Sequence, residues 1–305
     1  MKKDLLTLND LEEQDFKRLF ERAIELKARH KRGIFDKALA GKSVGLIFDK
    51  PSTRTRISFE AATIQLGGTP IFMSAAHTQI SRNEPVKDTA RVLSRYIDCL
   101  VVRTFSQELI EEYARECSIP VINALSDLYH PCQILSDLLT VVEVKGGFKD
   151  LTVAWIGDGN NVAHSWINAA ATLGFTFVLA CPDGYTPDQA VLDNALSKNK
   201  GVIRVTKDPV DAVKGADIVY TDVWASMGQE SELDERLAPF RPYQVNASLL
   251  KHAKADVKVM HCLPAHRGEE ITEEVLEGPH SIVWDQAENK LHMHKAILEA
   301  LIVKR

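Results

Sequence analysis

The sequence predicts an α/β protein of two doubly wound domains with parallel sheets, joined by helices that include a C-terminal helix packing back. Three observations carry this. Short apolar runs alternate with stretches of helical period along most of the chain, the pattern left by parallel strands with crossover helices. At 305 residues the chain exceeds the usual size of one core, so two domains of roughly 150 residues are expected. A second series of alternations begins after Gly146-Gly147, which places the domains at 1–140 and 150–284, with a final helix over 285–305 returning to the first.

A first helix opens near Asn9, where Asn9 and Glu12 resemble a capping box. Phe16, Leu19, Phe20, Ala23 and Ile24 form its apolar face and Gly33 offers a stop. Strands are then expected at 44–48, 70–73, 100–103 and 121–124, with helical stretches at 54–66, 86–96, 107–117 and 133–144 between and after them. The second series places strands at 152–156, 176–180, 202–205, 218–220, 258–261 and 281–284, and a last helical pattern at 291–303. No internal repeat or low-complexity segment interrupts the series.

Composition excludes several function classes. Basic side chains number 37 against 42 acidic ones, a net charge of −5, so the basic stripe that nucleic-acid binding needs is missing. Any positive site must be local, built from a few placed arginines. The first ten residues turn acidic before a signal-peptide stretch develops, and no run approaches the ~18 apolar residues of a membrane span. A cytoplasmic protein that binds no membrane is expected. The five cysteines are odd in number and scattered, so free thiols are expected.

The junction FDKPSTRTRISFE, residues 48–60, runs from a strand end into a helix. The first N–H groups of a helix are unpaired and its dipole is positive there, so Ser52, Thr53 and Thr55 hydroxyls with the Arg54 fork suit an anion. The plain alternative is an N-cap serine followed by a solvated basic turn. Against it, two arginines at the positive helix end cost about 0.3–1 kcal/mol each unless an anion neutralises them. The glycines and Gly-Lys-Ser/Thr of a nucleotide-binding loop are absent, so a nucleoside triphosphate is a poor match.

Other strand ends offer convergent polar groups, where open α/β sheets bind ligands. Arg103 ends CLVVRT, although an arginine there can simply close a strand. His130-Pro131-Cys132-Gln133 starts a helix with proline in its first turn. Beside Arg54, Thr55 and Arg103, the His130 imidazole and Gln133 amide would suit a carbonyl attached to phosphate. In the second half, Gly157 and Gly159 give a weak dinucleotide-loop match, with Val162 in place of the third glycine and Asp183 at a tolerable distance for the ribose acid. Asn160-Asn161 at the same helix start suit a zwitterionic amino acid equally well. Asp222 opens DVWASMGQE after a strand, and His261 opens HCLPAHRGEE after another. Cys262 there can equally be a small buried hydrophobe. The His and Cys pairs lack structural-zinc spacing, so no metal is expected.

Ser52-Thr53-Arg54-Thr55-Arg56, His130-Pro131-Cys132-Gln133, Asp222 with Ser226-Met227-Gly228, and His261-Cys262-Leu263-Pro264 together resemble the aspartate/ornithine carbamoyltransferase family, in family order along the whole chain. The last two point to its ornithine-using branch. The resemblance implies transfer of carbamoyl from carbamoyl phosphate to the side-chain amine of L-ornithine, giving L-citrulline and phosphate, within arginine metabolism and with no cofactor. It implies that Ser52, Thr53, Arg54 and Thr55 hold the phosphate, with Arg103, His130, Pro131, Cys132 and Gln133 around the carbamoyl group. Cys262 and Leu263 complete that pocket. Gln79 would reach the carbamoyl phosphate of a neighbouring subunit, because the family is built on trimers, or multiples of them, with shared active sites. Asn161, Asp222, Ser226 and Met227 would grip ornithine. Arg54, Arg103, His130, Asp222 and Cys262 are the catalytic candidates, with the amine proton going to Asp222 or Cys262.

One position departs from the pattern. The family's Glu-Asn-Arg before the last helix reads Glu288-Asn289-Lys290 here, which keeps a charge for carbamoyl phosphate but loses the bidentate fork. Lys290 is thus either a ligand or a solvated surface lysine. Rival readings are transfer to acetylornithine, putrescine or aspartate, a nicotinamide oxidoreductase resting on the Gly157-Gly159 loop, and a non-catalytic binding paralogue.

Overall fold

The computed structural model describes residues 1–49, 52–74, 84–198, 200–225 and 233–303. They form two α/β units, Met1–Thr140 with Glu288–Arg305, and Val141–Ala287. Among the described residues no helix is long and apolar enough to cross a membrane.

The first unit runs α1 (Glu13–Lys31), β1 (Ser43–Phe48), α2 (Thr53–Gln65), β2 (Thr69–Ser74), α3 (Val86–Leu93), β3 (Cys99–Arg103), α4 (Gln107–Glu116), β4 (Val121–Leu125) and α5 (Pro131–Lys145). All four strands pair in parallel in the order β2-β1-β3-β4. The apolar runs of β1, β3 and β4 are buried almost throughout, as strands covered on both faces must be, whereas edge strand β2 is largely exposed. Ile47, Leu100 and Val102 pack against Ala90 of α3 and Ile110 and Tyr113 of α4. The chain leaves β1 for β2 on one side and returns to β3 on the other. Connections from β1 and β3 therefore diverge, the arrangement that leaves a crevice beyond their carboxyl ends. The register sets Phe48 beside Arg103, so the arginine-rich junction and the end of β3 share that crevice.

Two local expectations need correction. The capping box lies one turn either side of the Asn9–Glu12 pair: Thr7 and Asp10 close a short 3-10 turn, and Asp15 accepts from the Glu12 N–H at the start of α1. Leu11 is extended between them, so the turn and the helix are separate. The segment 281–284 is not a strand. Ser281 forms one isolated bridge to Val259, after which Gln286 N–H donates to the Ile282 carbonyl and α12 (Val283–Ile302) begins. Ile282 and Val283 are both buried, Trp284 and Asp285 both exposed and Gln286 buried again, a helical period that overrides the strand propensity of Ile, Val and Trp. In the first unit α12 packs on α1, where Arg22 bonds Glu299 at 2.8 Å and Lys27 bonds Asn289 at 2.8 Å.

The second unit runs β5 (Thr152–Ile156), α6 (Asn161–Leu173), β6 (Thr176–Ala180), α7 (Gln189–Ser197), β7 (Val202–Thr206), α8 (Pro209–Val213), β8 (Ile218–Thr221), α9 (Leu233–Phe240), α10 (Ala247–Leu250), β9 (Lys258–His261) and α11 (Glu273–Leu276). Its five strands are also parallel, in the order β7-β6-β5-β8-β9. The order reverses between β5 and β8, so a second crevice opens there. Register pairs Ile156 with Thr221 and Thr221 with His261, which brings the ends of β5, β8 and β9 level.

Candidate active site

At the first crevice Ser52 is extended just ahead of α2, and its side chain makes no capping bond. No acidic residue stands in the first turn of α2, and Thr55 is buried there. The two arginines differ. Arg56 donates to Glu60 at 2.9 Å and lies 3.5 Å over the Phe72 ring, so its charge is balanced locally. Arg54 is exposed and has no ion-pair partner among the described residues. The charge argument for an anion at this helix end thus rests on Arg54 alone.

Arg103, His130, Gln133 and Lys290 are all buried. The amide N–H of Asp49 donates to the Arg103 carbonyl at 2.9 Å, which ties the end of β3 to the start of the junction. Burial holds the His130 imidazole well below its ordinary range, and the nearby Lys290, Arg103 and His294 add to the shift, so the ring is neutral. His294 is lowered in the same way, first by burial and then by Lys290. It stacks on Phe59 at 3.7 Å and shares a 2.9 Å hydrogen bond with the Ser58 hydroxyl. Lys290 is only 5% exposed and donates to Gln133 Oε1 at 2.7 Å, which dismisses the solvated surface lysine. Cys132 is fully buried and its thiol, which donates to the Asn123 carbonyl at 3.3 Å, is pushed up to about 12 by burial. Its side chain serves the packing of α5 on β4. Pro131 is the first residue of α5. Gln79 lies outside the described residues.

At the second crevice Asp222 is held on three sides. Its Oδ1 accepts from the Cys262 thiol at 3.0 Å and from the Val223 N–H at 2.8 Å, while Oδ2 accepts from Asn160 Nδ2 at 2.9 Å. Asn160, one of the two asparagines the sequence offers to an amino acid at this helix start, has a second use that the sequence does not show. Its carbonyl end caps α6 by accepting from the Val162 and Ala163 N–H groups, so one side chain joins the helix start to the carboxylate. Asn161 is the first residue of α6, beside it. Ser226 and Met227 lie outside the described residues.

Leu263 adopts φ 57°, an uncommon region for a branched residue, and a buried relay holds it there. Glu270 accepts from His261 Nε2 at 3.0 Å, which leaves Nδ1 as the lone-pair nitrogen, and Nδ1 accepts from the Leu263 N–H at 2.8 Å. The ligand atoms of Asp222, His261 and Cys262 lie within 4.8 Å of one another. Both ring nitrogens of His261 are already engaged, so a cation could take that lone pair only by breaking the turn. Arg236, also unforeseen, donates to Asp158 at 2.9 Å and to the Trp224 carbonyl at 3.0 Å, and its guanidinium lies 4.9 Å from the Tyr185 ring centre.

One of the two glycines of the weak dinucleotide match has a local use. A Cβ on Gly159 would fall 2.3 Å from the Pro187 nitrogen, so this glycine admits the chain's own backbone. The helix N–H groups that would face a pyrophosphate are capped by Asn160.

Residues 3–143 match the carbamoyl-P binding domain of the aspartate/ornithine carbamoyltransferases, and residues 149–301 match the Asp/Orn binding domain. The chain belongs to the aspartate/ornithine carbamoyltransferase family. An ornithine carbamoyltransferase of Syntrophus aciditrophicus (strain SB) is 57% identical over 302 residues, covering 99% of this chain and 100% of that one. Another, of Desulfotalea psychrophila, is 58% identical over 298 residues, 98% of each chain. The solved ornithine carbamoyltransferase from Pyrococcus furiosus superposes with a TM-score of 0.94 at 49% identity, over 99% of this chain and 97% of that one. In this family member the α2 start, Arg103 and the His130–Gln133 turn fall in the part matching the carbamoyl-P binding domain. Asn160, Asp222 and Cys262 fall in the part matching the Asp/Orn binding domain.

Proposed function

We infer that the chain is an ornithine carbamoyltransferase, which moves the carbamoyl group of carbamoyl phosphate to the side-chain amine of L-ornithine and releases L-citrulline and phosphate. Full-length identity to proteins of that name carries the reading. The Asn160–Asp222–Cys262 cluster supports it, because a carboxylate fixed by three donors at a crevice suits a substrate ammonium.

In this reading Ser52, Thr53, Arg54 and Thr55 receive the phosphate at the start of α2, where helix dipole, free N–H groups and the Arg54 charge add together. As the amine attacks, charge grows on the carbamoyl oxygen. Thr55, Arg103 and neutral His130 are the donors for it, the logic of an oxyanion hole. Gln133 and Lys290 flank the carbamoyl group, with Pro131, Cys132 and Leu263 shaping its surroundings. Asn161, Asp222, Ser226 and Met227 bind ornithine. The amine arrives protonated and must become neutral before it attacks. Within the Asp222–Cys262 pair sulfur donates and the carboxylate accepts, so Asp222 is the first acceptor of that proton.

We also propose a trimer, or a multiple of trimers, in which Gln79 reaches the site of a neighbouring subunit. Ile57 and Ile64 on α2 and Ile71 and Phe72 on β2, an edge strand among the described residues, are 36–61% exposed, apolar side chains that a neighbouring subunit would cover. A cytoplasmic location suits the five free thiols. The test is citrulline formation from carbamoyl phosphate with ornithine, acetylornithine, putrescine and aspartate offered in turn. Turnover confined to ornithine is expected; preference for any other amine would overturn the assignment.

A further inference from the structure

Gln133 is buried, and both ends of its amide are engaged. Its Nε2 donates to Asp137 Oδ1 at 2.8 Å, one turn further along the same face of α5, and its Oε1 accepts from Lys290 Nζ at 2.7 Å. Asp137 is fully buried and Lys290 nearly so. An ammonium can only donate and a carboxylate can only accept, so this sequence of partners allows the amide one orientation and forbids its flip.

We propose that Lys290 and Asp137 are positioning residues that act through Gln133, fixing which end of its amide meets the carbamoyl group. The inference rests on carbamoyl phosphate being the ligand of this cluster. A carbamoyl group carries a donor NH2 beside an acceptor C=O, as the glutamine amide does, and two such groups pair only in opposite orientations. A glutamine free to flip would set donor against donor in part of the population. Lys290 thereby keeps a function where the family pattern has arginine, although it lacks the planar fork. That function is to hold the reader of the carbamoyl group, while the phosphate is left to the start of α2.

Steady-state kinetics on Asp137→Asn, Lys290→Met and Lys290→Arg, with inorganic phosphate as inhibitor, test this. Asp137→Asn and Lys290→Met should each raise the KM for carbamoyl phosphate about tenfold, the effect of one charge-assisted hydrogen bond, while the phosphate inhibition constant moves less than about twofold. Lys290→Arg, which can still donate, should restore most of the loss. The double variant Asp137→Asn/Lys290→Met should fall well short of the product of the two effects, since both act on one amide. An unchanged KM in both single variants would overturn the proposal. So would a parallel loss of phosphate inhibition in Lys290→Met, which would make the lysine a direct anion ligand. If Asp137→Asn does not fold, the Lys290→Met and Lys290→Arg pair decides on the same two constants. Absence of citrulline formation by the unaltered chain would instead remove the functional reading itself.

Discussion

Arg54 and Arg56 stand two residues apart at the start of α2, and their surroundings give them different uses. Glu60 and Phe72 occupy Arg56, whereas Arg54 keeps its charge at the positive end of a helix with no acid in its first turn. Arg54→Ala should therefore leave a folded protein and lower kcat/KM by about 10²-fold or more, since the proposed phosphate ligand and partner of transition-state charge vanish together. Far-UV circular dichroism and citrulline kinetics check both halves. A second residue-level prediction concerns pH. His130 and His294 are held neutral by burial, so the folded chain binds protons there less readily than the unfolded chain, whose histidines titrate near 6.5. Stability then rises with pH across that window and is lost as pH falls below about 6.5. The thermal midpoint should drop between about pH 7 and pH 5, and His294→Gln should flatten the slope; an unchanged slope in that variant would contradict the assignment of the effect to buried imidazoles.

At the scale of elements, much of the fold could be read from the sequence because strands buried on both faces leave continuous apolar runs. The crevices could be located too, since polar groups ending such runs stand out, as Arg103 and Asp222 do. The exception at 281–284 shows the limit: Ser-Ile-Val-Trp has strand propensity, and only its packing reveals a helix start. The supporting contacts were not legible for a different reason. Arg236 meets Asp158 across 78 positions and Lys290 meets Gln133 across 157, and no local pattern marks either pair. Asn160 carried a local signal, an asparagine at a helix start, but its bond to Asp222 62 positions away did not. Arg236 joins the β5–α6 turn to the segment after β8. Arg236→Met should cost about 3–5 kcal/mol by stranding the largely buried Asp158 carboxylate, and adding Asp158→Asn should recover part of it. Urea unfolding curves of the single and double variants measure this. In the same variant the ornithine KM should rise more than the carbamoyl phosphate KM.

At the scale of the whole molecule, the apolar residues left exposed on α2 and β2 bear on assembly. Ile57 and Ile64 are seven positions apart on one helix face, in the same unit as β2, which is an edge strand among the described residues. Sedimentation should give three times the 34.0 kDa chain mass or a multiple of it, and Ile64→Asp should shift material towards the monomer. A monomeric parent chain at micromolar concentration would contradict the proposed trimer. The division of labour, with phosphate held by the start of α2 and the amino acid by the Asp222 cluster, is tested most directly by crossed kinetics on Arg54→Ala and Asp222→Asn. Inhibition by inorganic phosphate should weaken at least about tenfold in Arg54→Ala and stay near normal in Asp222→Asn, while the ornithine KM should rise chiefly in Asp222→Asn. Phosphate inhibition lost in Asp222→Asn but kept in Arg54→Ala would contradict it.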